Sequence, residues 1–498
     1  MSPGLAKAMI ERSDPALIDI EFYPNMYWSS PENFTNLKEA LTNISRIASI
    51  RIDLGLLPEI RHTILPILTQ PAPNIRTFEF KCDISLPKGL FGDKAPNLEE
   101  LSLSDCDLPW NTSFLGTRLK SLTWIARIAL IRRPSENQFM SVLSGLSSLE
   151  TLILEKTIPY SIQQKARVSL PRLRYLHLFS DTYGEDCIEF LDHLDIPETA
   201  SIIVRMICYS DIIGRDIADF RTLFSCLARH TTPQAGRPIS KPITALSIDG
   251  TPGFHFAQLM LSIWNTDVEM SAIENGVDPA PTSSNLPRFC LRLYWDIRTL
   301  GVRALAFDRT IGDALSILHL ASLQTFSLCL RMSEDSAVET IFKSMQSTKI
   351  ERLIIWGGCI GQVLSLLSCR RSTDNTGNRR KGVSGGTQRM HLPALQELSL
   401  LSVDFQPYGK RRVVSKQLLE ALETRSKQGA PVKRLALKYC KKLLEDDVDR
   451  FKSVVEQVEW EGYNDGGDDD DDDNLEPSVS SEDAASSEVE SSEAEVDG

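Results

Sequence analysis

No Cys-x-x-Cys pair occurs among the ten cysteines of this 498-residue chain. That absence argues against a zinc ribbon and against a thioredoxin-like redox pair. No apolar run approaches the roughly 18 residues of a membrane span, and residues 1–12 lack the apolar stretch of a signal peptide. His-Glu-x-x-His and Gly-x-Ser-x-Gly are both missing, and the seven histidines are scattered, so the usual metalloprotease and hydrolase signatures have no residues to carry them. Residues 382–386 (GVSGG) are glycine-rich but lack a Gly-Lys-Ser/Thr ending and a strand before them. They read as a flexible insertion, not a phosphate loop. The expectation is a chain that is not an enzyme, with no catalytic residue, no cofactor and no metal, and no nucleic-acid or membrane partner.

Basic charge is also in short supply. The formal net charge is −13, but residues 465–498 hold fifteen Asp or Glu and no Lys or Arg. With that segment set aside, 54 basic residues face 52 acidic ones, so the body is nearly neutral and carries no basic footprint for nucleic acid. Several cysteines sit in apolar, strand-like runs, as buried free thiols of a reducing compartment do. An intracellular location, cytoplasmic or nuclear, is expected. Lys410-Arg411-Arg412 is only a weak nuclear signal.

What is present is a repeat. Pro96-Asn97-Leu98-Glu99-Glu100-Leu101-Ser102-Leu103-Ser104-Asp105-Cys106 fits L-x-x-L-x-L-x-x-N/C, the strand-and-turn unit of a leucine-rich repeat. Leu101 and Leu103 are two apart, so a strand points both to one face. One such unit cannot cover that face and needs neighbours of its own kind. Further units open at Ile75, Leu119, Leu149 and Leu173, and the gaps from Ile75 to Leu173 are 23, 21, 30 and 24 residues. They continue at Ile243, Val302 (VRALAF), Leu323, Ile350, Leu395, Val432 and Val455. Residues 201–209 (SIIVRMICY) read as a buried strand without the motif. Pro73, Pro96, Pro171 and Pro393 each stand two residues before a unit's first apolar residue, where a helix has to give way to extended chain. Between strands the spacing is helical: residues 36–45; a capping box at Ser135 and Gln138; Val338, Ile341, Phe342 and Met345 after Ser333; and Leu418, Leu419 and Leu422.

The expected fold is therefore α/β: an irregular leucine-rich-repeat solenoid, with a curved parallel sheet on the concave face and helices on the convex one. Residues 1–46 form an N-terminal helical cap, residues 47–462 the solenoid with loops at 268–288 and 370–391, and residues 463–498 a disordered acidic tail. In that tail Ser480, Ser487 and Ser492 each have an acid three residues on, as acidophilic kinases prefer. The tail reads first as a solvated segment that aids solubility. Docking on basic partners, or on the insertion carrying Arg379, Arg380 and Lys381, is the alternative.

A binding role needs a surface. In each unit the residues between the apolar ones face the exposed sheet. LETLIL and LRYLHL thus place Ile153, Glu155, Tyr175, His177 and Phe179 side by side, and IERLII adds Arg352, Ile354 and Trp356 further along. Aromatics beside Arg are typical of protein-binding hot spots. Burial of these groups by irregular repeats or helices is the competing expectation.

Two stretches extend the reading. Leu435-Ala436-Leu437-Lys438-Tyr439-Cys440, Asp447-Val448, then Val455, Val458 and Glu459-Trp460-Glu461-Gly462 resemble the closing repeat of F-box/leucine-rich-repeat proteins of mushroom-forming fungi. Met9-Ile10-Glu11-Arg12-Ser13 followed by Pro15-Ala16-Leu17-Ile18-Asp19-Ile20 resembles the stretch that follows the F-box in that family. The resemblance covers about residues 9–462. It implies a substrate-recognition subunit of an SCF-type ubiquitin ligase, whose repeats hold a protein substrate and whose F-box holds the adaptor. The F-box, a helical segment opening on a Leu-Pro pair, would lie upstream of Met9, where eight residues stand. An adaptor contact is thus expected only if an F-box exists upstream. The alternatives are a repeat scaffold or adaptor unconnected with ubiquitin and, further off, a hydrolase on an α/β frame.

Overall fold

The structure is a computed structural model that describes residues 3–23, 31–55, 63–110, 114–127, 133–162, 167–181, 185–208, 217–231, 241–252, 256–266, 286–296, 303–330, 335–345, 349–368, 390–406 and 413–462. Two units separate, Met1–Glu461 and Gly462–Gly498. The acidic tail with Ser480, Ser487 and Ser492 lies outside the described residues, as do 268–285 and 370–389 of the two expected loops.

The first unit is a mixed α/β domain on one sixteen-stranded sheet. In chain order its strands are β1 (Ile18–Phe22), β2 (Ile47–Gly55), β3 (Thr77–Ser85), β4 (Glu100–Asp107), β5 (Ser121–Ile125), β6 (Thr151–Glu155), β8 (Tyr175–Ser180), β10 (Ser201–Cys208), β11 (Ala245–Pro252), β12 (Phe256–Trp264), β13 (Phe289–Asp296), β14 (Thr325–Leu330), β15 (Arg352–Trp356), β16 (Glu397–Leu401), β17 (Arg434–Lys438) and β18 (Gln457–Trp460). Two short strands, β7 (Val168–Ser169) and β9 (Leu194–Asp195), pair separately. The described helices include α1 (Pro3–Arg12), α2 (Pro31–Leu41), α3 (Glu136–Gly145), α4 (Glu185–Asp192), α5 (Ile217–Thr231), α6 (Arg303–Ile317), α7 (Asp335–Ser344), α8 (Ile360–Leu367), α9 (Val413–Lys427) and α10 (Glu445–Lys452).

Strands follow one another in sequence order and in parallel, except in the middle, where the order is β10-β13-β12-β11-β14. There β12 runs antiparallel to both β11 and β13. The repeat is thus interrupted by a three-stranded meander, which the chain enters at its far side and leaves next to β10. Helices α5 and α6, which carry the chain across this break, pack on each other.

The unit boundaries have a common local cause. Ile75, Leu98, Leu119, Leu149, Leu173, Leu323 and Leu395 each donate their N–H to the carbonyl three residues back, at 3.0–3.3 Å. Pro73, Pro96, Pro171 and Pro393 occupy the second position of these turns, where a fixed φ suits the turn. In the third position Asn97 donates its side-chain amide to the Pro73 carbonyl at 2.8 Å, and Asn74 to the Ser45 carbonyl at 2.7 Å. These two units are thereby tied to the chain before them. At the other end of the strand Asp105, Lys156, Ser402 and Tyr439 all take a positive φ of 52–60°. That kink sends the next residue inward, and Cys106, Thr157, Val403 and Cys440 are all buried there.

Core positions alternate along β3 to β6, with Phe78 and Phe80, Leu101 and Leu103, Leu122 and Trp124, and Leu152 and Leu154 buried. They join one continuous core with Phe139, Phe190, Leu223, Ile311, Ile341, Val363, Leu418 and Val448 from the helices. The helices therefore pack on one face of the sheet. The opposite face carries the residues between, and two small strand-built clusters at its centre.

Several expectations need correction. The segment 1–46 is not only helical, because Ile18–Phe22 pairs with β2 as the sheet's first strand. VRALAF is no strand: Arg303 onward belongs to α6, as two alanines in a row of good helix formers allow. β12 and β13 were not expected at all. Ser135 stands at the N-cap of α3 in extended conformation, but its hydroxyl bonds to Gln138 Oε1 at 2.8 Å and not to a backbone N–H. Among the described residues no helix is long and apolar enough to cross a membrane.

The inward turn positions bear on thiol chemistry. The eight cysteines Cys82, Cys106, Cys187, Cys226, Cys290, Cys329, Cys359 and Cys440 are free and buried. Burial pushes the Cys226 thiol up to about 12 and those of Cys359 and Cys440 up to about 11, and raises Cys106 and Cys187 as well. A thiol so raised holds almost no thiolate near neutrality. In an Ellman titration of native protein at pH 8, these eight are expected to stay silent and to react on addition of guanidinium. More than two fast thiols among the ten would show that the core around one of these eight is open.

Candidate functional site

Parallel pairing fixes which side chains share the helix-free face. Ile153, His177, Ile203 and Cys290 stand in one row across β6, β8, β10 and β13, and Glu155, Phe179, Arg205 and Arg292 in the next. Thr151, Tyr175 and Ser201 form the row before them. Ile153, Glu155, Tyr175, His177 and Phe179 are thus neighbours on one face. Arg352, Ile354 and Trp356 lie on the same face on β15, six strand intervals from β8, roughly 30 Å at a strand spacing of about 4.8 Å.

Exposure is where the expectation fails. Tyr175 and Ile354 are 4% and 0% exposed, and Phe179 is buried too. Ile153, Glu155, His177, Arg352 and Trp356 are half-buried. Tyr175 packs with Ile203 and Cys290, flanked by Ile153, Met260 and Leu286. Ile354 packs with Ala245, Trp264 and Leu401 beside Trp356. The cause is the meander. It brings apolar side chains to both faces of the central strands, and large groups on strands about 4.8 Å apart cover one another. Tyr175 and Ile354 therefore belong to two separate minor clusters on this face. The accessible part of the proposed surface is the set of half-buried groups around them.

Charged groups on this face are mostly matched across strands. Arg51 meets Glu21 at 2.7 Å, Lys81 meets Asp53 at 2.9 Å and Arg434 meets Glu459 at 2.6 Å, and just before β4 and β5 Lys120 meets Glu99 at 2.7 Å. Lys120 holds the Glu99 carboxyl below its usual range, against a smaller effect of burial. Lys156 pairs with Asp181 at 2.8 Å, and His177 Nδ1 lies 3.9 Å from Glu155 Oε1, too long for a hydrogen bond.

Arg205 is the exception. Its guanidinium carbon lies 5.0 Å from the centre of the Phe179 ring and 5.1 Å from that of Tyr294. Its Nε is buried with no hydrogen-bond partner. Arg292 stands beside it on β13, 7% exposed. Sequence reasoning missed Arg205, Arg292, Tyr294 and Met260. The available signal was an arginine inside each of two apolar runs, SIIVRMIC and FCLRLYWD, because a charge in such a run has to be paired or put to use.

The helix-free face thus combines half-buried aromatic and aliphatic groups, an arginine beside two rings, and matched charges towards both edges of the sheet. No protein-family model matches the chain, and no curated protein matches it either.

Proposed function

We propose that this chain is a protein-recognition module built as an irregular leucine-rich-repeat solenoid, and that it serves as the substrate-recognition subunit of an SCF-type ubiquitin ligase inside the cell. The observation that carries the recognition reading is the helix-free face at β6, β8, β10 and β13, where Ile153, His177 and Arg205 surround buried aromatic groups. Aromatic and arginine side chains on a pre-formed strand platform give contact area at little ordering cost. The repeated turn at Ile75, Leu98, Leu119, Leu149, Leu173, Leu323 and Leu395 supports the solenoid. The ubiquitin role rests on the family resemblance at both ends of the domain, and its alternative is a scaffold unconnected with ubiquitin.

Two comparisons test this. Ile153→Glu/His177→Glu should keep the circular dichroism of the parent, melt somewhat lower because two carboxylates then stand opposite each other, and still, in the folded form, lose its partner from the host cell about tenfold or more. Equal recovery removes this face from the reading. For the ligase role, the adaptor should co-purify with the chain extended to the mapped start of its transcript. Failure of every such form to retain the adaptor leaves only the scaffold.

A further inference from the structure

We infer that Arg205 is the seat for a carboxylate side chain of an acidic segment in the protein partner, an inference that rests on the recognition reading above. Arg205 points away from the main core, on the same face as Ile203. The Phe179 and Tyr294 rings lie within 5.0 and 5.1 Å of its guanidinium carbon. Among the described residues it makes neither a hydrogen bond nor an ion pair, and Nε is shut off from solvent without a partner. Aromatic rings attract the cation through their faces, but they do not take up its N–H donors. A guanidinium beside two rings still has the N–H donors of its edge, and that edge is the fork that fits a carboxylate with two parallel bonds.

The arrangement is not a general property of this sheet. Arg51 and Arg434, on the same face, each have a carboxylate across the strand within 2.7 Å. Arg205 instead has a second arginine beside it, Arg292, in paired register on the next strand. Like charges directly opposite in a sheet oppose pairing, and an anion at Arg205 relieves that.

Charge decides which anion. The nearby cation Lys156 is committed to Asp181 at 2.8 Å. Glu155 lies in the same row next to Phe179, and Asp249 lies on that row beyond Met260. With Glu155 and Asp249 already set against Arg205 and Arg292 in this row, a singly charged carboxylate is less opposed than a phosphate dianion. Ile153 and Met260 lie close by and pack with the Tyr175 cluster, so the matching segment carries an apolar residue next to its Asp or Glu. Lysine would not replace Arg205, because an ammonium neither spreads between two rings nor offers a planar fork.

The probe is a set of immobilised short peptides of random sequence around a fixed central Glu, Gln or phosphoserine, incubated with the full chain. The expected result is retention on Glu-centred peptides about tenfold or more above Gln-centred ones, lost in Arg205→Gln and not restored by Arg205→Lys. Should Arg205→Gln not fold, Arg205→Met, which keeps the bulk between the rings, takes its place. Equal retention on Glu and Gln peptides, or a preference that survives loss of Arg205, removes the carboxylate seat and leaves the recognition surface standing. Preference for phosphoserine overturns the choice of anion and with it the inference. Binding to none of the sets also overturns it, while the face itself is judged by the Ile153→Glu/His177→Glu comparison.

Discussion

Replacing Arg133 with methionine is expected to destabilise the domain by about 3–5 kcal/mol at neutral pH and by clearly less below pH 5. Arg133 bonds Asp186 Oδ2 and the Ile158 carbonyl, both at 2.9 Å, and its side chain and that of Asp186 are 9% and 4% exposed. Burial raises the Asp186 carboxyl, opposed by a hydrogen bond from Ser180, by the Arg133 charge and bond, and by the Cys187 N–H. A carboxyl whose folded value lies above its unfolded one binds protons more tightly when folded. Its contribution is greatest below the unfolded value and declines as pH rises to the folded one. Without the Arg133 charge and hydrogen bond the folded Asp186 carboxyl rises further, so the decline extends to higher pH. Urea unfolding of both proteins at pH 4.5 and 7.5 measures this. An identical loss at both pH values would mean that Asp186 is not a buried charge in the variant. Arg133→Met/Asp186→Leu should recover most of the loss, since an apolar pair of similar size costs little where a half-broken ion pair costs much.

Local spacing carried the outer parts of the sheet. Leu101 and Leu103, Leu152 and Leu154, and Leu435 and Leu437 are all core positions, as a period of two requires. The prolines that mark the unit starts do so for a reason visible in the bonds, as second residues of turns. The centre was less legible. In residues 259–264 (LMLSIW) and 289–294 (FCLRLY) Met260, Trp264, Cys290 and Tyr294 put apolar groups on the second face as well, and an apolar run with blurred alternation does not announce a strand. The edge strand Ile18–Phe22 is short and carries Asp19 and Glu21, which hides it among helical neighbours. For the site, alternation located the face but not its exposure. Whether Tyr175 is open depends on Ile203 and Cys290, far along the chain and brought near by a strand order that spacing does not encode. Arg205 was legible only as an oddity, a charge in an apolar run. Its meaning needed Phe179 and Tyr294, from two other strands.

Trp124→Ala is expected to cost about 3–5 kcal/mol, with no dependence on pH. The ring is fully buried on β5, and its Nε1 donates to the Cys106 carbonyl at 2.9 Å, in the turn that ends β4. Its own carbonyl accepts the Thr157 hydroxyl at 3.3 Å, from the turn that ends β6. One residue therefore joins three successive units. Trp110 links it to the helices: the ring centres of Trp110 and Trp124 are 4.9 Å apart, those of Trp110 and Phe139 5.2 Å, and those of Phe139 and Phe190 5.3 Å. Because Trp124 bonds to the turns that end both β4 and β6, a cavity here weakens the contacts of β5 with both neighbouring strands at once. Trp124→Phe separates the causes. It keeps most of the packing and loses the bond to Cys106, and should cost about 1–2 kcal/mol, near the value of one buried hydrogen bond with its acceptor left unpaired. Phe139→Ala beside Trp124→Ala should then cost less than the sum of the two by about 0.5 kcal/mol or more, because Trp110 repacks into either cavity but counts only once. Strict additivity in guanidinium unfolding would show that the aromatic chain is a row of independent contacts.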